Sequence, residues 1–280
     1  MGKRWGRQKY LSFFPYQGGK YYLLPYILKL IPEHEIYVEP FGGSAKVLLN
    51  KPPSKIEVYN DIDKKIANLF YVVAFHFDEF QRKVNSLILS RALFDEFKKQ
   101  IKNNPPKQFG DVDHAVKTYY LLLTSYAGNP KFNSFMITYT KRTISFASNI
   151  SRLPIIHERI KKVIFESRDF RKILETYGNK ENAFMYIDPP YAGEENTYDA
   201  DFTEHEHKDL LNFLKKTKAK WLLSGYPNKL YDEMLKGFYR VDIVVKKYSK
   251  PINKMNKEKT RPDAVEVLWA NYNIKKMLEK

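Results

Sequence analysis

The chain has 280 residues, 43% hydrophobic and 29% charged, which suits one large globular domain or a core domain with a sizeable insertion, and no run of about 18 apolar residues predicts a membrane span. It contains no cysteine, which excludes disulfides, thiolate metal ligands and cysteine nucleophiles and fits a reducing cytoplasm. Its 48 basic and 32 acidic residues give a net charge of +16, which favours a polyanionic partner such as nucleic acid over a merely lysine-rich surface.

The first part of the chain predicts alternating helices and strands. After a basic arm and a Gly-Gly-Lys loop at residues 17–20, apolar residues at helical spacing predict a helix that Pro32 closes. Residues 35–50 indicate a strand, a glycine-rich turn and a helix, and residues 55–75 indicate a strand, an acidic turn and a helix. This repeated order predicts a parallel sheet.

Residues 76–160 interrupt this order. Apolar residues at helical spacing begin at Phe77, and a second helix is predicted over residues 114–127. Residues 129–149 alternate like a β-hairpin, with Lys141 and Arg142 near its tip. We therefore predict a mostly helical insertion that carries one exposed β-ribbon.

The α/β order resumes at residue 161. Strands are predicted within residues 161–174, just before Asp188, and within residues 220–228 and 265–273. A capping box between Thr203 and Glu206 predicts the start of a helix. The loop of residues 246–262, before the last strand, holds seven Lys or Arg residues against one acid, so it is either a phosphate-contacting segment or a solvated loop.

Four predicted strand ends carry unusual side chains, and the carboxyl ends of parallel strands meet at one crevice. They comprise residues 39–43, Asn60 with Asp61, Asp169 with Phe170, and residues 188–191. Gly42 and Gly43 let backbone approach a ligand closely, just before a helix N-terminus. Asp61 stands where ribose-binding folds place a carboxylate, so we expect a nucleoside-containing cofactor. The chain lacks GxGxxG and GxxxxGK(S/T) motifs, which disfavours NAD and nucleoside triphosphates.

The sequence Asp-Pro-Pro-Tyr, residues 188–191, follows a strand-like apolar run. Because proline fixes φ and has no N–H, the Asp188 carboxylate and the Pro189 carbonyl can both accept hydrogen bonds from one amino group. Such a grip withdraws the nitrogen lone pair from conjugation with a ring and makes it nucleophilic. Tyr191 offers a flat face to a base that has left its stack.

The segments FPYQGGK, YVEPFGGSA, YND and DPPY, with a late strand near NY, resemble adenine-N6 DNA methyltransferases of the Dam type and come in that family's order. The resemblance covers residues 12–75 and 160–273, and it is loose between them. It implies an α/β, Rossmann-like methyltransferase fold with a mostly seven-stranded central sheet. Residues 1–75 and 161–280 would form the S-adenosylmethionine-binding catalytic domain, and residues 76–160 a helical target-recognition insertion with a β-hairpin.

The resemblance also implies site residues. The cofactor-binding set is Tyr16, Gly18, Gly19, Lys20, Glu39, Phe41, Gly42, Gly43, Asp61, Asp169, Phe170 and Asp188. The methionine end would lie over residues 41–43, near residues 18–20, and the ribose on Asp61. The catalytic set is Asp188, Pro189, Pro190 and Tyr191. The family usually has Trp-Ala where this chain has Tyr16 and Gln17, and tyrosine keeps an aromatic face there.

Other interpretations of these residues stay open. Asp61 could also cap a helix, and Asp169 with Phe170 could be a cap and a core residue. His205 and His207 do not share a helix face, so the capping box explains them better than a metal site does. We expect no metal, because a sulfonium methyl is already activated.

Two basic groups are expected to contact DNA. Lys131, Lys141 and Arg142 of the ribbon would enter the major groove and read bases. Lys254, Lys257, Lys259 and Arg261 of the basic loop would contact phosphates, which adds affinity without sequence information.

The leading hypothesis is a monomeric, cytoplasmic enzyme of a prokaryote or phage that methylates N6 of a flipped-out adenine in double-stranded DNA. The resemblance also allows a partner restriction endonuclease encoded elsewhere. Cytosine N4 is the first alternative target, RNA adenine a weaker one, and a nucleic-acid-binding protein without turnover is the alternative class. A Rossmann oxidoreductase is disfavoured by the missing glycine motif.

Overall fold

The computed structural model describes residues 10–16, 20–125, 128, 131, 134–135, 139–191, 202–246 and 263–279. It confirms a mixed α/β fold built on a seven-stranded sheet in the order β3-β2-β1-β4-β5-β7-β6. The strands are β1 Ile36–Glu39, β2 Ile56–Asn60, β3 Ile164–Glu166, β4 Ala183–Ile187, β5 Lys220–Gly225, β6 Tyr239–Lys246 and β7 Asp263–Ala270. Strands β1 to β5 are parallel, and β7 runs antiparallel between β5 and β6.

Helices connect and flank the strands. They are α1 Leu24–Leu30, α2 Lys46–Asn50, α3 Lys64–Phe75, α4 Phe77–Asn85, α5 Arg91–Ile101, α6 Val112–Thr124, α7 Tyr139–Ile150, α8 Leu153–Ile160, α9 Phe170–Tyr177, α10 Glu204–Lys216, α11 Lys229–Met234 and α12 Ile274–Leu278. The predicted capping box opens α10: Thr203 Oγ1 accepts from the Glu206 N–H, and the Glu206 side chain accepts from the Thr203 N–H.

The centre of the sheet is buried on both faces. Tyr37 and Phe184 belong to one apolar cluster, whereas their neighbours Val38 and Met185 belong to the cluster on the opposite face. Because side chains alternate along a strand, a strand covered on both faces must be apolar at successive positions. This explains the continuous apolar run that precedes Asp188.

The predicted β-hairpin of the insertion is wrong, because its second half is helix α7. Within the described residues of this segment, antiparallel pairing amounts to one isolated bridge between Ser125 and Phe135. Phe146 and Ile150 are four residues apart, so one helix face carries both against the core. The Phe146 ring meets the edge of Tyr120 on α6 at a centroid distance of 5.8 Å. Burial at helical spacing therefore outweighed the local alternation of residues 129–149.

Strand β6 was not among the strands predicted from the sequence. It lies at an edge of the sheet and pairs along its whole length with β7. Its exposed side carries Arg240 and Asp242, which form an ion pair at 2.7 Å. An edge strand with charges on one side gives a weaker apolar signal than the central strands do.

The register of the sheet brings the functional strand ends together. Glu39 ends β1, which pairs on one side with β2 and on the other with β4. The residues that follow β2 and β4, Asp61 and Asp188, therefore emerge beside it at the same edge. None of the helices in the described ranges is long and apolar enough to cross a membrane.

Candidate active site

The carboxyl ends of β1, β2 and β4 open into a cavity of about 510 Å³, a size that suits a small-molecule cofactor. The structure brings most of the predicted site residues to its wall: Tyr16, Lys20, Glu39, Phe41, Gly42, Gly43, Asp61, Asp169, Phe170, Asp188 and Pro190. Tyr191 and Pro189 continue the chain beside that wall. Gly18 and Gly19 lie outside the described residues.

Asp61 holds the glycine-rich loop against the end of β2. Its Oδ2 accepts from the Gly43 N–H at 2.7 Å and its Oδ1 from the Asp63 N–H at 2.9 Å. Burial, followed by the charge of Asp63, raises the pKa of Asp61 to about 7. The N-cap of α3 is Asp63, not Asp61, so the capping interpretation of Asp61 does not apply.

Glycine is required at positions 42 and 43 of this loop for two different physical reasons. A Cβ on Gly42 would lie 2.1 Å from a ring carbon of Tyr59, so the loop could not pack there with a larger residue. Gly43 has a φ of +48°, which side chains disfavour. Tyr59 also donates its hydroxyl to the Gly43 carbonyl at 2.7 Å. These contacts hold one side of the loop against β2, and the other side of the loop lines the cavity.

Glu39 is a buried carboxylate in the cavity wall. Its Oε1 accepts from the Tyr37 hydroxyl at 2.5 Å and from the Leu48 N–H at 2.8 Å. Burial raises its pKa to about 7. A cationic ligand nearby would favour the ionised form of such a group.

Three phenylalanine rings form one aromatic wall of the cavity. Phe41 lies 5.3 Å from Phe170 and 5.5 Å from Phe202, and Phe170 lies 5.5 Å from Phe202, between ring centroids. Phe202 was not predicted as a site residue. Asp169 borders this wall, but its carboxylate also caps α9 by accepting from the Arg171 N–H. A wall of phenylalanine rings suits the apolar faces of an adenine ring.

Asp188 is held in the cavity wall by one cation and one hydroxyl. Its Oδ1 lies 2.9 Å from the Lys20 ammonium and accepts from the Ser224 hydroxyl at 2.9 Å. Burial raises the pKa of Asp188, while the charge and hydrogen bond of Lys20 and the hydrogen bond of Ser224 oppose the rise. Ser224 itself lies 3.0 Å from the Tyr186 hydroxyl.

Tyr191 is fixed by residues that sequence reasoning missed. Its hydroxyl donates to Glu266 Oε2 on β7 at 2.8 Å, and its ring meets the ring of Tyr226 edge-on at 4.5 Å. The Lys20 ammonium lies 4.6 Å from the Tyr191 ring centroid. No local sequence pattern singles out Glu266 or Tyr226, because these contacts depend on strand register and on loop paths.

The basic residues predicted for DNA divide into two groups. Lys131 lies in a turn after α6, and Lys141 and Arg142 lie in α7 rather than in a ribbon. The phosphate-contacting candidates, Lys254, Lys257, Lys259 and Arg261, lie outside the described residues.

Lys46 lies in the cavity wall, and His207 lies in the core next to Phe202. Lys46 lines the cavity, where burial and the neighbouring charge of Arg152 lower its pKa to about 8. His207 is buried and hydrogen-bonds the Tyr231 hydroxyl at 2.7 Å. Across the part of the chain that the structure describes, no three His, Asp or Glu side chains cluster as a metal site would require.

Comparison with known proteins gives a consistent family. The model of the D12 class N6 adenine-specific DNA methyltransferases matches residues 16–251. The chain is 26% identical to the type II methyltransferase M.CviBI of Paramecium bursaria Chlorella virus NC1A over 206 residues, which are 70% of this chain and 76% of the relative. It is also 26% identical to the DNA adenine methylase of Escherichia coli K12 over 188 residues, 66% of each protein. The DNA N-6-adenine-methyltransferase of Escherichia phage P1 is again 26% identical over 238 residues, 78% of this chain but 30% of the relative.

Proposed function

This chain belongs to the D12 class N6 adenine-specific DNA methyltransferases, and on that premise we propose that it transfers a methyl group from S-adenosylmethionine to N6 of an adenine flipped out of double-stranded DNA. One observation carries the proposal. A single cavity joins a nucleoside-type site, made by Asp61 and the aromatic wall, to the Asp188 carboxylate at the end of β4. The net charge of +16 supports a DNA duplex as the partner.

The residues of the cavity fit S-adenosylmethionine. The wall of Phe41, Phe170 and Phe202 would face the adenine ring, and Asp61 would accept hydrogen bonds from the ribose hydroxyls. The buried carboxylate of Glu39 suits the cationic methionine end, and Lys46 suits its carboxylate. The cofactor supplies an activated methyl group on a sulfonium, which is chemistry that no side chain of this site can provide.

Asp188 and the chain after it prepare the target. The carboxylate and the Pro189 carbonyl would accept hydrogen bonds from the exocyclic amino group, which holds the nitrogen lone pair out of conjugation with the ring. Tyr191, with its hydroxyl tied to Glu266, would offer its face to the flipped base. Removal of the base from the duplex is required because its N6 atom is otherwise paired and stacked.

We extend the proposal to the organisation of the chain. Residues 1–75 and 161–280 form the catalytic domain, and residues 76–160, with α4 to α8, form the target-recognition insertion. The support is topological, since all seven strands come from the two outer segments. The type II methyltransferase among the relatives supports a place in restriction–modification.

Replacement of Asp188 tests the proposal. Asp188→Ala should reduce single-turnover methyl transfer on the order of 10³-fold, because the variant lacks the main acceptor for the target amino group. Its affinity for DNA, measured by mobility shift, should change less than about two-fold. The control is Glu175→Ala, which removes an exposed carboxylate on α9 and should leave both quantities unchanged. Near-normal transfer by Asp188→Ala would rule out the proposed mechanism.

A further inference from the structure

The two oxygens of the Asp188 carboxylate are used unequally. Oδ1 receives both the Ser224 hydroxyl and the Lys20 ammonium, each at 2.9 Å. Oδ2 receives no hydrogen bond from the described part of the chain, although Asp188 lines the cavity. The carboxylate therefore already has one oxygen bound to the protein and one available to a ligand.

Ser224 reaches Oδ1 because of the sheet register. Ile187 of β4 pairs with Leu223 of β5, so the residues that follow them, Asp188 and Ser224, lie side by side. Ser224 is 0% exposed and follows two fully buried leucines. A buried hydroxyl in an apolar strand is costly unless it is hydrogen-bonded.

The Ser224 hydroxyl in turn contacts a second buried hydroxyl, that of Tyr186. The Tyr186 hydroxyl lies 3.0 Å from Ser224 Oγ, and Tyr186 is 3% exposed. A serine hydroxyl has one proton, and an ionised carboxylate only accepts. Ser224 therefore donates to Asp188 and accepts from Tyr186. The other possible acceptor for its proton, the Ile187 carbonyl, lies at 3.5 Å, which is the limit for a hydrogen bond.

We propose that Ser224, supported by Tyr186, is a positioning residue that fixes the rotation of the Asp188 carboxylate and so presents Oδ2 to the amino group of the target base. The inference rests on the proposed function. An aspartate carboxyl rotates over a broad range when nothing holds it. Lys20 is a weaker constraint, since its long side chain has four rotatable bonds, whereas serine has one before its hydroxyl.

The same hydrogen bond has an electrostatic consequence. Donation to a carboxylate favours its ionised form, so Ser224 opposes the rise that burial causes in the pKa of Asp188. Loss of the hydroxyl should raise that pKa. The carboxylate would then accept hydrogen bonds only at higher pH.

The test compares Ser224→Ala, Ser224→Thr and Tyr186→Phe with wild type. Ser224→Ala should lower kcat about 10- to 100-fold, the range for a hydrogen bond to a charged group, with KM for the cofactor and Kd for DNA within about two-fold. The acidic limb of its kcat–pH profile should move to higher pH. Ser224→Thr, which keeps the hydroxyl, should recover most of kcat, and Tyr186→Phe should show a smaller change in the same direction.

The control variant is Thr217→Ala. It removes a hydroxyl that bonds the Phe213 carbonyl at 2.9 Å, away from the cavity, and should change neither kcat nor the pH profile. Thermal melting of every variant shows whether it folds. A Ser224→Ala enzyme with wild-type kcat and an unmoved acidic limb would overturn the proposal, as would a loss confined to KM or to stability.

A second readout does not depend on turnover. NMR titration of protein labelled with carboxyl-¹³C aspartate should show a higher pKa for Asp188 in Ser224→Ala and in Tyr186→Phe. If wild type transfers no methyl group to DNA, the proposed function fails, and the titration still decides whether Ser224 acts on Asp188. An unchanged Asp188 pKa in both variants would overturn the inference alone.

Discussion

Asp61 shapes the glycine-rich loop, and the same side chain is the proposed acceptor for a ligand. Both of its oxygens accept backbone N–H groups, from Gly43 and Asp63, and this fixes the loop that borders the cavity. Each carboxylate oxygen can accept more than one hydrogen bond, so Asp61 retains capacity for the two ribose hydroxyls. Burial disfavours the ionised form of Asp61, so its pKa rises to about 7.

Asp61→Asn should weaken binding of S-adenosylhomocysteine about 10- to 100-fold, because a charged acceptor is lost. Wild-type affinity should also rise between about pH 6 and pH 8, as Asp61 ionises, by more than that of the variant. Isothermal titration calorimetry measures both. An analogue that lacks the ribose hydroxyls should bind the two proteins equally, and an equal loss for both ligands would refute the assignment to the ribose.

At this scale the sequence predicted which acids meet but not what holds them. Glu39, Asp61 and Asp188 could be placed together because each ends a parallel strand. Ser224, Phe202 and Glu266 could not, because their contacts depend on register and on loop paths that no local pattern encodes. Such partners of functional groups are visible only once neighbouring strands are aligned.

At the scale of elements, a buried ion cluster ties α8 to the sheet. Glu57 of β2 lies 2.6 Å from Lys51 and 2.6 Å from Arg159, and Arg159 also donates to the Leu48 carbonyl. Burial raises the pKa of Glu57, but the hydrogen bonds of Arg159 and Lys51 outweigh it and leave the pKa lowered. The cluster thus joins the end of the proposed insertion to the central sheet.

Arg159→Met should reduce the free energy of unfolding by roughly 3 kcal/mol, because it leaves a buried carboxylate with one partner fewer. The pKa of Glu57 is lower in the folded protein than its ordinary value of 4.5. The ion pair therefore stabilises the fold above pH 4.5, and this contribution disappears as the pH falls through the folded pKa. The loss of stability in Arg159→Met should follow the same pH dependence. Urea unfolding at about pH 7 and pH 3 measures this. The control, Lys172→Met in an exposed pair with Glu175, should cost about 1 kcal/mol or less; equal costs at pH 7 would contradict the account.

The helix α7 changes how the basic residues of the insertion could meet DNA. Reversal of Lys141 and Arg142 to Glu should weaken binding to the preferred site or relax site choice, because base readout commonly uses basic side chains. Sequencing of methylated sites measures the choice. The matched control is reversal of Lys215 and Lys216, which are exposed in the last turn of α10 and carry the same change in charge. A methylation pattern unchanged by the first pair would remove α7 from recognition.

Element type was predictable where the apolar period was strong. The strands around Val38 and Met185 and the helix opened by Thr203 were predicted correctly, since burial and capping act locally. α7 was not, because residues 129–149 also alternate as a β-hairpin would, and β6 was not, because charged residues interrupt its apolar pattern. In both segments, packing against the rest of the protein determined the secondary structure.

At the scale of the whole molecule, a cavity lined by equal numbers of acidic and basic side chains lies in a strongly basic protein. The net charge of +16 favours approach to a polyanion, whereas the proposed chemistry uses three carboxylates of the cavity wall, Glu39, Asp61 and Asp188. The sequence predicted this division from composition and strand ends. It also predicted that these strand ends meet at one crevice, but not that Phe202 joins an aromatic wall there.

The reaction proposed for this protein is methylation of adenine N6 in DNA. The most direct test is to incubate the protein with methyl-labelled S-adenosylmethionine and mixed genomic DNA, digest the DNA to nucleosides and identify the labelled product. We expect label in N6-methyldeoxyadenosine, and incorporation that is slower on the order of 10³-fold when Asp188→Ala replaces the wild type. Label in N4-methyldeoxycytidine, or no label from protein that binds DNA tightly, would contradict this proposal.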